Sequence, residues 1–191
     1  EDEIRKAVPM VYYHVWDNKP PPLFNAIWYD STDLVVTISK VTQDIVENVA
    51  PDVESIYHPH AVNPEFYKPL STEEISELRS KSNISDDKFV VFWNSRNARR
   101  KQSATLIHWF KEFLDKVGHD KARLIMHTEP SDPNGPNLVA NINMLGLTNG
   151  EVQFSTQKLD FPELAGLYNI ADTTVCISDA EGFGLSTLES L

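Results

Sequence analysis

Positive charge is scarce in this sequence: 17 Lys and Arg stand against 28 Asp and Glu in 191 residues, a formal net charge of -11. Nucleic acids and anionic membranes are held mainly by basic surface, so no nucleic-acid partner is expected, and any polyanion must bind at a local site. Cysteine is almost absent. The single Cys176 excludes a disulfide framework, and its place inside the apolar run "TTVCIS" reads as a buried strand thiol in a reducing, cytoplasmic compartment. No apolar run approaches the roughly 18 residues of a membrane span, so no transmembrane segment is expected, and no signal-peptide pattern opens the chain. The triplet Asn83-Ile84-Ser85 has the form of a glycosylation acceptor, but such triplets are common by chance and the composition does not suggest secretion.

What is present is enough apolar material, 41% of residues, for a proper core in one medium domain or parts of two. Short runs rich in Val, Ile, Phe and Tyr alternate with longer helical patterns, which predicts an α/β fold with parallel sheets and crossover helices. Strands are expected near 8–13, 34–38, 53–57, 89–93, 122–126, 152–154 and 173–177, most of them buried on both faces. The clearest helix carries Leu106, Ile107, Phe110, Phe113, Leu114 and Val117 at spacings of three and four, with Gly118 where a C-terminal cap belongs. Ser39 is placed to cap a helix that Pro51 ends, and further helices are expected at about 24–30, 72–80, 138–145, 162–170 and from Leu185 onward. The segment "HPHAVNPEFYKPLST" carries three prolines and little periodicity, so it reads as an extended connector. Two units are therefore expected, residues 1–67 and residues 68–191, the end of one Rossmann-like domain followed by most of another.

Two stretches break the pattern of a plain scaffold. Arg96, Arg99, Arg100 and Lys101 stand just before the N-terminus of a helix, where the macrodipole disfavours a cation by about 0.3 to 1 kcal/mol. A bound phosphate or pyrophosphate would compensate; a solvated basic loop is the plainer alternative. The second stretch is "EGFGLSTLE", which follows a strand and leads into a helix, so that Gly182 and Gly184 occupy a turn at the carboxyl edge of a parallel sheet, where open α/β folds bind ligands. Glycines there let backbone N–H groups approach a phosphate. Glu181 in the turn suits sugar hydroxyls and Glu189 along the helix suits a vicinal diol such as that of a ribose.

"ADTTVCISDAEGFGLSTLESL" resembles the donor-site signature of the retaining GT-B nucleotide-sugar glycosyltransferases of family 4, also called group 1 glycosyltransferases. "FVVFWNSRNARRKQSATLIHWF" is similar to that family's strand, Arg, five-residue step, Lys and helix, with Ser95 and Gln102 where glycines are usual, and "IYHPHAVNPEFYKP" to its interdomain connector. The resemblance implies a GT-B fold of two Rossmann-like domains, both incomplete in this chain, which is then a fragment cut inside the donor-site helix. It also implies a transferase that moves a sugar from a nucleotide-diphosphate sugar to an acceptor hydroxyl with retention of anomeric configuration. The catalytic positions would be His14, which ends "VPMVYYH" with Asp17 as a weaker neighbour, and Glu181, which would contact the donor sugar. The diphosphate would lie against Arg96, Lys101 and the segment Gly182, Phe183, Gly184 and Leu185, with Arg100 sharing or taking the lysine's role, and Glu189 would hold the ribose. Without that resemblance, a lone His after a strand reads more often as a structural residue.

No cofactor is expected beyond the donor substrate, and no metal: His58 and His60 lack carboxylate or cysteine partners nearby, and the sequence has no Asp-x-Asp triplet. The acceptor, whether sugar, glycan, lipid or protein, is not indicated. An epimerase or phosphorylase of the same fold, or a non-catalytic nucleotide-sugar-binding module, are the alternatives.

Overall fold

The computed structural model describes residues 2–191. The chain divides into two compact units, residues 1–61 with 180–185, and residues 62–179 with 186–191.

The smaller unit is built on three parallel strands, β1 (Val11–His14), β2 (Leu34–Thr37) and β3 (Ser55–Tyr57), in the order β1-β2-β3. Helices α1 (Asp2–Arg5), α2 (Ala26–Asp30) and α3 (Lys40–Val49) accompany them. Ser39 caps α3 as the sequence predicts, its hydroxyl accepting from the Thr42 N–H at 3.1 Å. Tyr29, Val35, Val46 and Ala50 form the core. β1 starts at Val11 rather than at Val8, because Pro9 has no N–H to give and the Met10 N–H is captured by the Asp33 carboxylate at 2.7 Å. β3 starts at Ser55 rather than Val53, whose N–H closes the turn after α3 on the Ala50 carbonyl. The expectation of strands buried on both faces fails here: in β1 only His14 is buried.

The larger unit has four parallel strands, β4 (Phe89–Asn94), β5 (Ala122–His127), β6 (Val152–Ser155) and β7 (Thr173–Thr174), in the order β6-β5-β4-β7. Helices α4 (Thr72–Lys81), α5 (Ser103–Val117), α6 (Leu138–Met144) and α7 (Phe161–Ile170) belong to this unit, and α8 (Leu185–Glu189) follows them. α4 and α7 each open on a reciprocal capping box, Ser71 with Glu74 and Asp160 with Glu163. Here β4 and β5 do run buried on both faces, and their two sides feed separate cores. One gathers Trp93, Leu106, Ile107, Phe110, Leu114, Leu124 and Met126; the other gathers Val90, Phe92, Ile125, Tyr168 and Ile170. Of the apolar stripe expected on α5, Phe113 and Val117 remain exposed, and Gly118 closes the helix at φ +110°, donating to Leu114 O.

Strand order sets where the sheet opens a crevice. The chain runs outward from β4 through β5 to β6, then crosses back to lay β7 on the opposite side of β4. Neighbouring strands whose connections leave in opposite directions open a crevice at their carboxyl ends, and β4 and β7 form such a pair. Asp172 fixes β7 there: its N–H donates to Val90 O, its carboxylate accepts from Val90 N at 2.7 Å, and the buried Arg79 bonds it at 2.9 Å. β7 is shorter than the predicted 173–177. Val175 N–H still donates to Phe92 O, but the ladder ends there, and Cys176 is an exposed thiol outside the strand rather than a buried one.

Candidate active site

The turn after β4 is assembled around one buried amide. Asn97 has no exposed surface; its Nδ2 donates to Pro136 O at 2.8 Å and Pro130 O at 3.2 Å, and its Oδ1 accepts from Ser103 Oγ at 2.7 Å. The loop after β5 is thereby clasped to the basic turn. Gly135 lies so close that a Cβ on it would stand 2.3 Å from Asn97 O, which is why only glycine fits there. Arg99 N–H also reaches Asn134 O at 3.2 Å.

Arg96 projects from this clasp. Its Nε donates to Asp132 Oδ2 at 2.7 Å and its Nη2 to Oδ1 at 3.3 Å, while Asp132 also accepts from the Asn134 backbone and side chain. The Arg96 hydrogen bond holds the Asp132 carboxyl well below the usual carboxylate range, and Asp132 in turn raises Arg96. Two thirds of the Arg96 side chain stays exposed against 11% for Asp132. The carboxylate takes one edge of the guanidinium fork and leaves Nη1 uncommitted to it. Part of the misplaced positive charge is therefore compensated within the chain.

Residues 99–101 form a 3-10 turn in which Lys101 is buried and Arg100 exposed. Gln102 follows at φ +56°, in the left-handed region that costs a non-glycine residue about 1 kcal/mol. The resembled family has glycine at this position, and the backbone shows the reason. Here the glutamine adds something glycine cannot: its Nε2 donates to both carboxylate oxygens of Asp179 at 2.9 Å, while Asp179 N–H donates to Arg100 O at 2.8 Å. Asp179, which follows β7, is thus tied at two points to the basic turn that follows β4, across the carboxyl ends of the two strands.

Glu189 stands at the same edge. Tyr168 O–H donates to its Oε2 at 2.6 Å and Tyr67 O–H to its Oε1 at 3.3 Å. Asn94, the last residue of β4, donates to the Tyr168 hydroxyl Oη at 2.9 Å, completing a relay from strand end to carboxylate. Tyr67 is pushed up to about 12, first by burial and then by the Glu189 charge. Tyr168 is raised further, first by burial and then by its bond to Glu189. Both hydroxyls therefore keep their protons and donate.

His14 and the glycine turn belong to the smaller unit. His14 ends β1, buried, with Nε2 at 2.6 Å from the Tyr29 hydroxyl Oη. Burial lowers its pKa, so the imidazole is neutral near pH 7. In residues 180–185, a Cβ on Gly182 would stand 3.2 Å from the Val15 carbonyl, Gly184 adopts φ +84°, and the Phe183 ring meets His60 edge-on at 5.3 Å. Glu181 is half-buried and Leu185 exposed.

The structure thus brings Arg96, Arg100, Lys101 and Glu189 to one sheet edge of the larger unit, and sets the turn Gly182–Leu185 beside Val15, next to His14, in the smaller one. Sequence reasoning missed Asn97, Asp132, Gly135, Tyr67, Tyr168 and Tyr29. A glycine between Asn134 and Pro136 was the only one of these with a local signal. Among the described residues, no cluster of three or more His, Cys, Asp or Glu is placed to hold a metal ion, and no helix is long and apolar enough to cross a membrane.

No family profile matches the chain, and no curated protein matches it. Solved structures do. HepE of Anabaena, solved in complex with UDP and glucose, is 20% identical with a TM-score of 0.78 over 98% of this chain and 51% of its own. A glycosyltransferase from Rickettsia africae is 21% identical, TM-score 0.71, over 94% and 48%. A UDP-forming α,α-trehalose-phosphate synthase from Burkholderia vietnamiensis is 12% identical, TM-score 0.77, over 99% and 52%. The fold is of the GT-B type. At this identity the likeness carries the fold, and the chain spans about half the length of the structures it matches.

Proposed function

We propose that the chain forms part of a retaining glycosyltransferase of family 4 that draws its sugar from a nucleotide-diphosphate donor. The observation that carries this reading is the β4/β7 crevice: a cationic turn after one strand, bonded at two points to the residue that precedes the acid-and-glycine turn after the other. In the larger unit, Arg96, Lys101 and Arg100 would face the diphosphate; by the sequence resemblance the backbone amides of residues 182–185 are assigned to the same group. Glu189, which already accepts from two tyrosine hydroxyls, would also accept from the ribose, and Glu181 and His14 would contact the transferred sugar.

The chemistry asked of such a site is stabilisation of the charge that grows on the departing diphosphate. In the proposed step the bond from the anomeric carbon to the diphosphate oxygen breaks, the acceptor oxygen bonds to the same face, and the acceptor proton passes to the departing oxygen. No carboxylate is positioned by the sequence pattern as a covalent nucleophile. The guanidinium and ammonium groups would supply the charge that a divalent ion supplies in other transferases. Because HepE was solved with UDP, UDP is the first nucleotide to try.

Titration calorimetry of the protein with UDP, GDP and ADP, followed by donor turnover in the presence of candidate acceptors, tests the reading. Arg96→Ala should lower donor turnover by about 10² to 10³, the usual cost of one preorganised donor to a developing anion. Unchanged turnover in that variant would remove the clamp from the mechanism. A product of inverted anomeric configuration would refute retention.

A further inference from the structure

We propose that Tyr29 locks His14 as the Nδ1–H tautomer, so that His14 serves as a hydrogen-bond donor and not as a base. The proton inventory of three buried or half-buried groups carries this. Asn25 Nδ2 donates to the phenolic Oη of Tyr29 at 3.3 Å, and an amide nitrogen has no lone pair with which to take the tyrosine's proton in return. The single phenolic hydrogen is then left for His14 Nε2, 2.6 Å away. Nε2 is the acceptor, and the one proton of a neutral imidazole must sit on Nδ1.

The surroundings agree with that assignment. Tyr29 is wholly buried and His14 nearly so, and the rings packed about the imidazole are those of Tyr12 at 5.0 Å, Tyr29 at 5.1 Å and Trp16 at 6.4 Å. Among the described residues no carboxylate bonds to His14, so nothing offsets the desolvation of an imidazolium. Asn25 and Tyr29 are one helical turn apart, at positions i and i+4, so the relay is built by local geometry and closes on the strand end.

The consequence for sugar transfer rests on the reading of His14 given above. A histidine whose basic nitrogen is occupied by a phenol cannot take the proton of an acceptor hydroxyl; it can only give a hydrogen bond from Nδ1 to an oxygen. Tyr29 and Asn25 are then positioning residues for that bond.

Long-range 15N–1H correlation spectra of the 15N-histidine-labelled protein at pH 7, with His14 assigned by loss of its signals in His14→Gln, read the tautomer directly. The expected pattern is a pyridine-like Nε2 and a protonated Nδ1, the reverse of the tautomer that predominates for free histidine in water. In Tyr29→Phe the pattern should revert toward the common tautomer, and kcat should fall by about an order of magnitude or more with donor KM little changed. A protonated Nε2 in the parent protein would overturn the proposal without recourse to any variant, as would a Tyr29→Phe protein with an unaltered pattern. The spectra need no nucleotide: failure to bind any nucleoside diphosphate with the Nδ1–H pattern intact would refute the transferase reading and leave the lock standing.

Discussion

Gly135→Ala tests the clasp that presents Arg96. An ideal Cβ would stand 2.3 Å from Asn97 O and 2.4 Å from Asn97 Oδ1, whereas ordinary contact begins near 3.4 Å, so the loop must lift by about 1 Å. Asn97 cannot retreat, because it is fully buried and bonded on three sides. Lifting the loop that far breaks the 2.8 Å bond to Pro136 O. Overpacking costs about 1 to 3 kcal/mol and an orphaned buried polar group about as much again, offset by the lower entropy of the unfolded alanine chain, about 0.4 to 1 kcal/mol. The net is about 1 to 5 kcal/mol, centred at about 3. At about 3 to 6 °C per kcal/mol for a unit of this size, the central value corresponds to a fall of about 10 to 20 °C in the melting midpoint of a circular-dichroism melt. Nucleotide affinity should weaken as well, since Asp132 belongs to the displaced loop. Gly166→Ala is the built-in control: the same change in the interior of α7, where the added methyl meets only Leu78 at 3.7 Å, should stabilise by about 0.5 to 1 kcal/mol. A Gly135→Ala protein that melts with the parent, or a control that falls as far, would refute the packing argument.

Tyr168→Phe removes the 2.6 Å donor to Glu189 and leaves Asn94 Nδ2 without its nearer acceptor. Urea unfolding should show a loss of about 1 to 3 kcal/mol, and UDP should bind more weakly; parent-like values in both would dissociate Glu189 from the relay. His119 bridges Asp115 and Glu151, whose hydrogen bonds raise its pKa, the Asp115 bond contributing most. A raised folded value means stability fully present below about pH 6.5 and lost as pH climbs through the folded pKa. Burial lowers His14 and His127, whose contributions run the opposite way and are lost as pH falls. The quantity to measure is therefore the stability difference between the parent and His119→Asn, which should shrink between about pH 6 and 8. A pH-independent difference would show that the bridge carries no linked proton.

Local signals in the sequence were enough for much of the helical frame. Ser39 is the N-cap of α3, Gly118 ends α5, and the apolar spacing of Leu106, Ile107, Phe110 and Leu114 is the face that α5 buries. Strand ends were less legible because distant atoms decide them. β1 begins where Asp33 stops taking backbone hydrogen, 23 residues from Met10, and nothing near Val8 reports that. Cys176 lies in an apolar run, yet the ladder that would bury it stops at Val175. The basic turn was visible as a charge at the wrong end of a helix. Its partners were not, since Asp132 is 36 residues from Arg96 and Asp179 is 77 from Gln102. Patterns of period two or 3.6 describe one element; a clasp between two loops has no period.

The single thiol, exposed at Cys176, makes this chain convenient to watch. With no second thiol to compete, one maleimide dye would attach per molecule, three positions before the aspartate that Gln102 grips. Fluorescence anisotropy or quenching at that label would report, in real time, whether the segment after β7 tightens when a nucleotide is added.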